Sequence, residues 1–361
     1  MLYYFFDYMT QFYSGFDVFR YLTLRIILSA LTALTLSLLF GPIIINHLKS
    51  KRLYQSIRDD GPQSHLTTKA ETPSMGGTII IFSVLLSTIL WSDILNDNIW
   101  ILSFILFSFG CIGFYDDYKK YLHSSSDGIS GKFKLALQII FASLATIYIY
   151  TTAFQPIDLS LTVPFIKEYA LFMGVLFIPW SIFVIVGSSN AVNLTDGLDG
   201  LAILPCILIA SAFVLFAYVQ GNFNIANYLL IPYLPDVAEI SIFASAIVGS
   251  GLGFLWYNSY PAQVFMGDVG SLSLGAILAM IAILLRLEFV YAIMGGVFVA
   301  EALSVMIQVF SYKVFGKRVF KMSPIHHHFE LQGWHESKII VRFWIITFVL
   351  VLIGLSSLKI R

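Results

Sequence analysis

Long apolar runs alternate with short polar joints along this chain, and that rhythm predicts its architecture. One helix needs roughly 20 mostly apolar residues to cross about 30 Å of hydrocarbon. Ten such runs occur, near residues 24–48, 76–94, 97–116, 133–152, 170–188, 200–219, 238–256, 270–286, 288–311 and 339–358. The eighth and ninth lie so close that only the charged residues Arg286 and Glu288 mark a turn between them. No internal repeat, low-complexity segment or linker divides the chain. It reads as a single polytopic membrane domain over residues 1–361, an all-α integral membrane protein of about ten transmembrane helices.

Composition supports a bilayer as solvent: 58% of the 361 residues are hydrophobic and only 12% charged. Basic and acidic residues number 21 each and cancel, leaving no global field to attract nucleic acid, so no nucleic-acid partner is expected. The two cysteines, Cys111 and Cys206, sit in separate apolar runs, a spacing that suggests neither a disulfide framework nor a zinc site. Residues 1–20 are aromatic and include acids, unlike a removable signal peptide, so the first apolar helix is expected to do the targeting.

Lysine and arginine set the expected orientation, because cytoplasmic loops are enriched in them. The stretches 49–75, 117–134 and 312–342 hold 15 of the 21. Both termini are then expected outside, on the periplasmic side. The loops 49–75, 117–134, 189–199, 257–269 and 312–338 face the cytoplasm and are expected to form the active site.

Sorting acids and histidines by that topology brings out candidate chemistry. Asp116 and Asp117 end the third run, Asp196 and Asp199 are expected to open the sixth helix, and Asp268 precedes the eighth. His326, His327 and His328 follow the ninth. Ordinary solvated loop acids would lie in polar runs, whereas these lie in GFYDDY, NAVNLTDGLDG and FMGDVG. Converging carboxylates raise one another's pKa unless a cation neutralises them. All-oxygen ligation suits Mg²⁺, which binds through one or two carboxylates together with substrate phosphates. A phosphate-bearing substrate is therefore expected. Asp196 and Asp199 are three apart and would share a face if helical, with Asn193 one step upstream. Gly197 and Gly200 leave room for close backbone approach.

Lys69, Lys120, Lys132 and Lys134 could supply further positive charge to a diphosphate, although any one lysine can serve merely to hold its loop inside. Three consecutive histidines cannot all face one centre, so one or two are candidate phosphate donors and the rest structural. Phe265 is either a core aromatic or a platform for a nucleobase. Glu301 sits inside the ninth run, where a carboxylate is costly and by default functional or partnered.

With these residues in place, the chain resembles the phospho-N-acetylmuramoyl-pentapeptide transferases, bacterial enzymes of the lipid stage of peptidoglycan synthesis. The resemblance runs collinearly through YSGFDVFRYLT, DGPQSHL, TPSMGG, GFYDDY, NAVNLTDGLDGLA, FLWYN, PAQVFMGDVGSL, PIHHHFELQGW and RFWII. The aspartate motifs are shared with the wider superfamily of polyprenyl-phosphate N-acetylhexosamine-1-phosphate transferases, and PIHHHFE points to the muramoyl-pentapeptide branch. One departure is Glu71, where the family usually has glycine.

The resemblance implies transfer of phospho-MurNAc-pentapeptide from UDP-MurNAc-pentapeptide to undecaprenyl phosphate, giving lipid I and UMP at the inner face of the bacterial plasma membrane. It implies Mg²⁺ on Asp268, catalysis by Asp116 and Asp117, and a site lined by Asn193, Asp196 and Asp199. It further implies uracil stacking on Phe265 and phosphate binding by Lys69, Lys120, Lys134 and the histidines, with His327 counted among the catalytic residues. A homodimer is admitted as one assembly in the bilayer. A phosphate monoester is already largely dianionic at neutral pH, which favours direct attack over an aspartyl-phosphate intermediate. Two other readings stay open: a sister transferase of GlcNAc-1-phosphate, and an ion-coupled secondary transporter. Transporter acids would lie nearer the midplane, in related halves of the chain.

Overall fold

The computed structural model describes residues 1–51, 72–122, 128–153, 155–166 and 170–359. Short helix α1 (Leu2–Met9) leads through a 3₁₀ turn into α2 (Leu22–Ser50), α3 (Gly77–Trp91), α4 (Asp97–Leu122) and α5 (Gly131–Thr152). A two-stranded antiparallel hairpin, β1 (Ser160–Thr162) against β2 (Ala170–Phe172), pairs Ser160 with Phe172. Then come α6 (Phe177–Thr195), α7 (Ile203–Gln220), α8 (Phe223–Leu229), α9 (Ile240–Asn258) and α10 (Gly267–Leu284). Helices α11 (Glu288–Met294), α12 (Gly296–Phe315), α13 (Ile325–Glu330) and α14 (Glu336–Ser356) complete the chain.

Nine helices among the described residues are long and apolar enough to span a bilayer. The protein is an all-α integral membrane protein, as its apolar rhythm predicts. The run at 76–94 forms the 15-residue helix α3, shorter than the other nine. The run at 170–188 starts as a strand, and its helix begins at Phe177. The run at 288–311 breaks at Gly295 into α11 and α12.

Burial grades outward from the middle. The apolar window of α10 is 89% buried and that of α9 78%, against 22% for α2 and 28% for α5, α12 and α14. The outer helices therefore turn apolar side chains toward lipid, and α9 and α10 form the protein interior. Apolar burial gives little drive between helices in lipid, so close backbone packing of small residues holds such bundles. A Cβ on Gly249 of α9 would stand 2.0 Å from Ala30 O of α2, and one on Gly275 of α10 would stand 2.6 Å from Ser188 O of α6. The Ser188 hydroxyl donates to Gly275 O at 2.7 Å across the same seam.

The bundle's two ends differ. At one, Arg25 makes a buried two-pronged ion pair with Glu239 at 2.7 and 3.0 Å, and the Asp93 N–H donates to the same carboxylate. The other end receives the C-termini of α4 and α6 and the N-termini of α5 and α10.

Candidate active site at one end of the bundle

Asp116 and Asp117 lie near the end of α4, and both are buried. Asp268 is in the first turn of α10, where the helix dipole favours a negative charge; it belongs to the helix and does not precede it. Ligand atoms from these three carboxylates lie within 4.8 Å of one another. Two glycines permit this convergence. At Gly113, one turn before the aspartates, a Cβ would stand 2.2 Å from the backbone oxygen of Asp268. Gly267 has φ +72°, and a Cβ there would meet Asp117 Oδ2 at 2.5 Å. A side chain at either position would push α4 and α10 apart.

Burying three carboxylates together requires compensating charge. Lys120, four residues after Asp116 on α4, places Nζ 2.7 Å from Asp116 Oδ2 and 3.0 Å from Asp268 Oδ2. Lys134, from the first turn of α5, reaches the same Asp268 oxygen at 2.6 Å. The other Asp268 oxygen accepts from Asn193 Nδ2 at 2.8 Å, near the end of α6. The Ile129 N–H donates to Asp116 Oδ1 at 2.8 Å. Three acids and two ammonium groups thus interlock, leaving one formal negative charge if all are ionised. All-oxygen donors this close fit a hard divalent cation, held by Asp268 with Asp116 or Asp117.

Other candidates surround this core. Asp196 was expected to open a helix with Asp199 on its face; instead it follows the last residue of α6, and the next helix starts only at Ile203. Asp196 has ψ +50° and Gly200 has φ +74°, so the stretch between them is a tight turn. Asp199 is buried in that turn, where it accepts the Ala262 N–H at 3.0 Å while its own N–H donates to Glu336 Oε1. Asp199 therefore ties the turn to the loop before α10. Phe265, half-buried in that loop, exchanges backbone hydrogen bonds with Pro73 and Gly76, zipping TPSMGG against FMGD.

The histidines form helix α13 and separate as expected of consecutive positions. His326 is fully buried against Glu301. His327 Nδ1 pairs with Glu330 at 2.6 Å. His328 contacts the Lys321 N–H and the Gln332 side chain. Lys69 and Glu71 lie outside the described residues. Sequence reasoning missed Ser271, whose hydroxyl takes a hydrogen bond from Asn193, and Asn190, one turn along α6, which donates to Gln138 at 2.9 Å. The NAVN spacing places both asparagines on one face of the helix and could have signalled the second.

Residues 99–286, more than half of the chain, match the family model described as glycosyl transferase family 4. The matched stretch contains the aspartates, Lys120, Lys134, Asn193 and Phe265, and ends before the histidine helix. The chain therefore belongs to glycosyl transferase family 4, within the polyprenyl-phosphate hexosamine-1-phosphate transferase superfamily, and is a membrane-embedded transferase of sugar phosphate to polyprenyl phosphate.

Proposed function

We propose that this protein transfers phospho-N-acetylmuramoyl-pentapeptide from UDP-MurNAc-pentapeptide to undecaprenyl phosphate, releasing UMP and forming lipid I. The observation that carries the reading is the interlocked Asp116, Asp117, Asp268, Lys120 and Lys134 cluster at one end of a membrane bundle. There a lipid phosphate can meet a water-soluble donor. The PIHHHFE segment supports the muramoyl-pentapeptide branch of the superfamily. In the proposed orientation this end faces the cytoplasm of a bacterial inner membrane, with both termini on the opposite side.

An oxygen of the lipid phosphate attacks the phosphorus next to the sugar, and the bond to the UMP oxygen breaks. Asp116 or Asp117 orients the acceptor phosphate and takes any residual proton. Lys120 and Lys134 swing from Asp268 to the phosphates, where charge accumulates as UMP leaves. Bound Mg²⁺ would supply electrophilic charge to the diphosphate, with Asp268 as its principal ligand. Asn193 steadies Asp268 in that role, while Asp196, Asp199 and Phe265 line the nucleotide side. Lys69, His327 and His328 belong to the proposed substrate-binding surface, and the buried His326 supports that surface from within.

The test is purified protein with undecaprenyl phosphate, Mg²⁺ and either UDP-MurNAc-pentapeptide or UDP-GlcNAc. Lipid I formed from the muramoyl donor alone, and lost in Asp268→Ala, is the expected result. Turnover of UDP-GlcNAc instead would assign the sister reaction. An aspartyl-phosphosugar trapped without lipid would overturn direct attack.

A further inference from the structure

Glu301 is the one acid in the interior of α12 and is fully buried. Its Oε2 accepts the Ile325 N–H at 2.7 Å, and its Oε1 lies 3.1 Å from His326 Nδ1. One carboxylate thus caps the first turn of α13 and grips the first histidine on it. A carboxylate in this setting only accepts, so Nδ1 is the donor of the pair, and in that tautomer the other ring nitrogen is bare. That Nε2 is buried and has no hydrogen-bond partner among the described residues. It rests against Gly197, where a Cβ would stand only 2.3 Å away.

Gly197 belongs to the turn between α6 and α7. Four residues upstream, Asn193 holds Asp268. Two residues downstream, Asp199 holds the Ala262 N–H of the loop that carries Phe265. Trp344 Nε1 of α14 donates to Gly200 O at 3.2 Å and steadies the turn from behind. The imidazole therefore wedges the turn at the point that joins the carboxylate cluster to the Phe265 loop.

We infer that Glu301 is a positioning residue for the nucleotide donor, acting through His326 on the Gly197 turn. The inference rests on the proposed nucleotide-linked donor. Glu301→Gln makes its effect distinct from plain packing. The amide keeps the shape, but its carbonyl must serve Ile325, so its NH₂ group faces Nδ1 and drives the proton to Nε2. An N–H then points at Gly197, where no acceptor waits among the described residues, and the turn must shift.

The experiment measures UMP binding to purified protein in detergent, together with KM for the donor and for undecaprenyl phosphate. Histidine ¹⁵N spectra report the tautomer of His326. Glu301→Gln is expected to weaken UMP binding and raise donor KM by about 10-fold, with acceptor KM little changed and the Nδ1–H form lost. Unchanged UMP binding in folded Glu301→Gln, or equal rises in both KM values, overturns the inference. Should Glu301→Gln fail to fold, Gly197→Ala sets a methyl against Nε2 while sparing the Glu301 pair, and unchanged UMP binding in that variant is equally decisive against it. Wild-type protein that binds no UMP sinks the nucleotide-donor reading itself, and the inference with it.

Discussion

Gly113→Ala tests whether close approach of α4 and α10 sets the candidate site. The added methyl would stand 2.2 Å from Asp268 O, 2.3 Å from Asp268 C and 2.5 Å from Val269 N. All three are backbone atoms on a helix and cannot rotate away. Non-bonded contacts settle at about 3.5–4.0 Å between carbons, so the helices must part by roughly 1 Å. Lys120 bridges them, 2.7 Å from Asp116 and 3.0 Å from Asp268, and an opening of that size breaks one of its contacts. Displacements near 1 Å can cost about 100-fold in rate, and overpacking costs about 1–3 kcal/mol of stability. The expected result is a fall of about 100-fold in transfer rate, with weaker Mn²⁺ binding by electron paramagnetic resonance. Gly187→Ala is the control, because a Cβ there meets nothing within 4 Å. Activity of Gly113→Ala within about threefold of wild type, with unaltered metal affinity, would refute the reasoning.

Two further outcomes follow from charge. Chelation with EDTA should abolish transfer yet leave the melting temperature in detergent within about 2 °C, because Lys120 and Lys134 already neutralise much of the carboxylate charge; unfolding on chelation would contradict this. Arg25→Met strands the buried Glu239 carboxylate with the Asp93 N–H as its remaining close donor, a loss of about 3–5 kcal/mol visible in thermal denaturation. Turnover per folded molecule should persist, since Asp97 and Asp116 mark opposite ends of α4, about 28 Å apart at 1.5 Å per residue.

Hydropathy read the bundle well because the cost of placing side chains in lipid sums over a whole helix and tolerates local irregularity. The same averaging hid the break at Gly295 and the strand at Ala170–Phe172, which cost a window of apolar residues nothing. Asp196 and Asp199 were misplaced for a related reason. Their spacing fits a helix, but the interleaved glycines and the positive φ of Gly200 make a turn, and a turn cannot be told from a helix start by polarity alone. The carboxylates were legible because acids at the edges of apolar runs are expensive unless used. Their partners were not. Glu301 and His326 are 25 residues apart, and Lys134 reaches Asp268 from a different helix. Such contacts depend on how helices cross, which no single stretch of sequence encodes.

The cluster's charge balance also constrains how the proposed reaction begins. Lys134 and Lys120 share one oxygen of Asp268, each within 3.0 Å. Neither can leave for a diphosphate without exposing a buried carboxylate to its two neighbouring acids, a repulsion strengthened where water is scarce. A divalent cation and a diphosphate arriving together remove the conflict. The cation would take over the charge that the ammonium groups supply to the carboxylates, and the ammonium groups would be freed for phosphate oxygens, with the cluster's formal charge of −1 unchanged. Asn193, neutral and bound to the other oxygen of Asp268, can keep that carboxylate aimed during the exchange. In the proposed reaction the lysines would have two uses at one position: they hold the acids together before substrate arrives, and they would stabilise the phosphates afterwards.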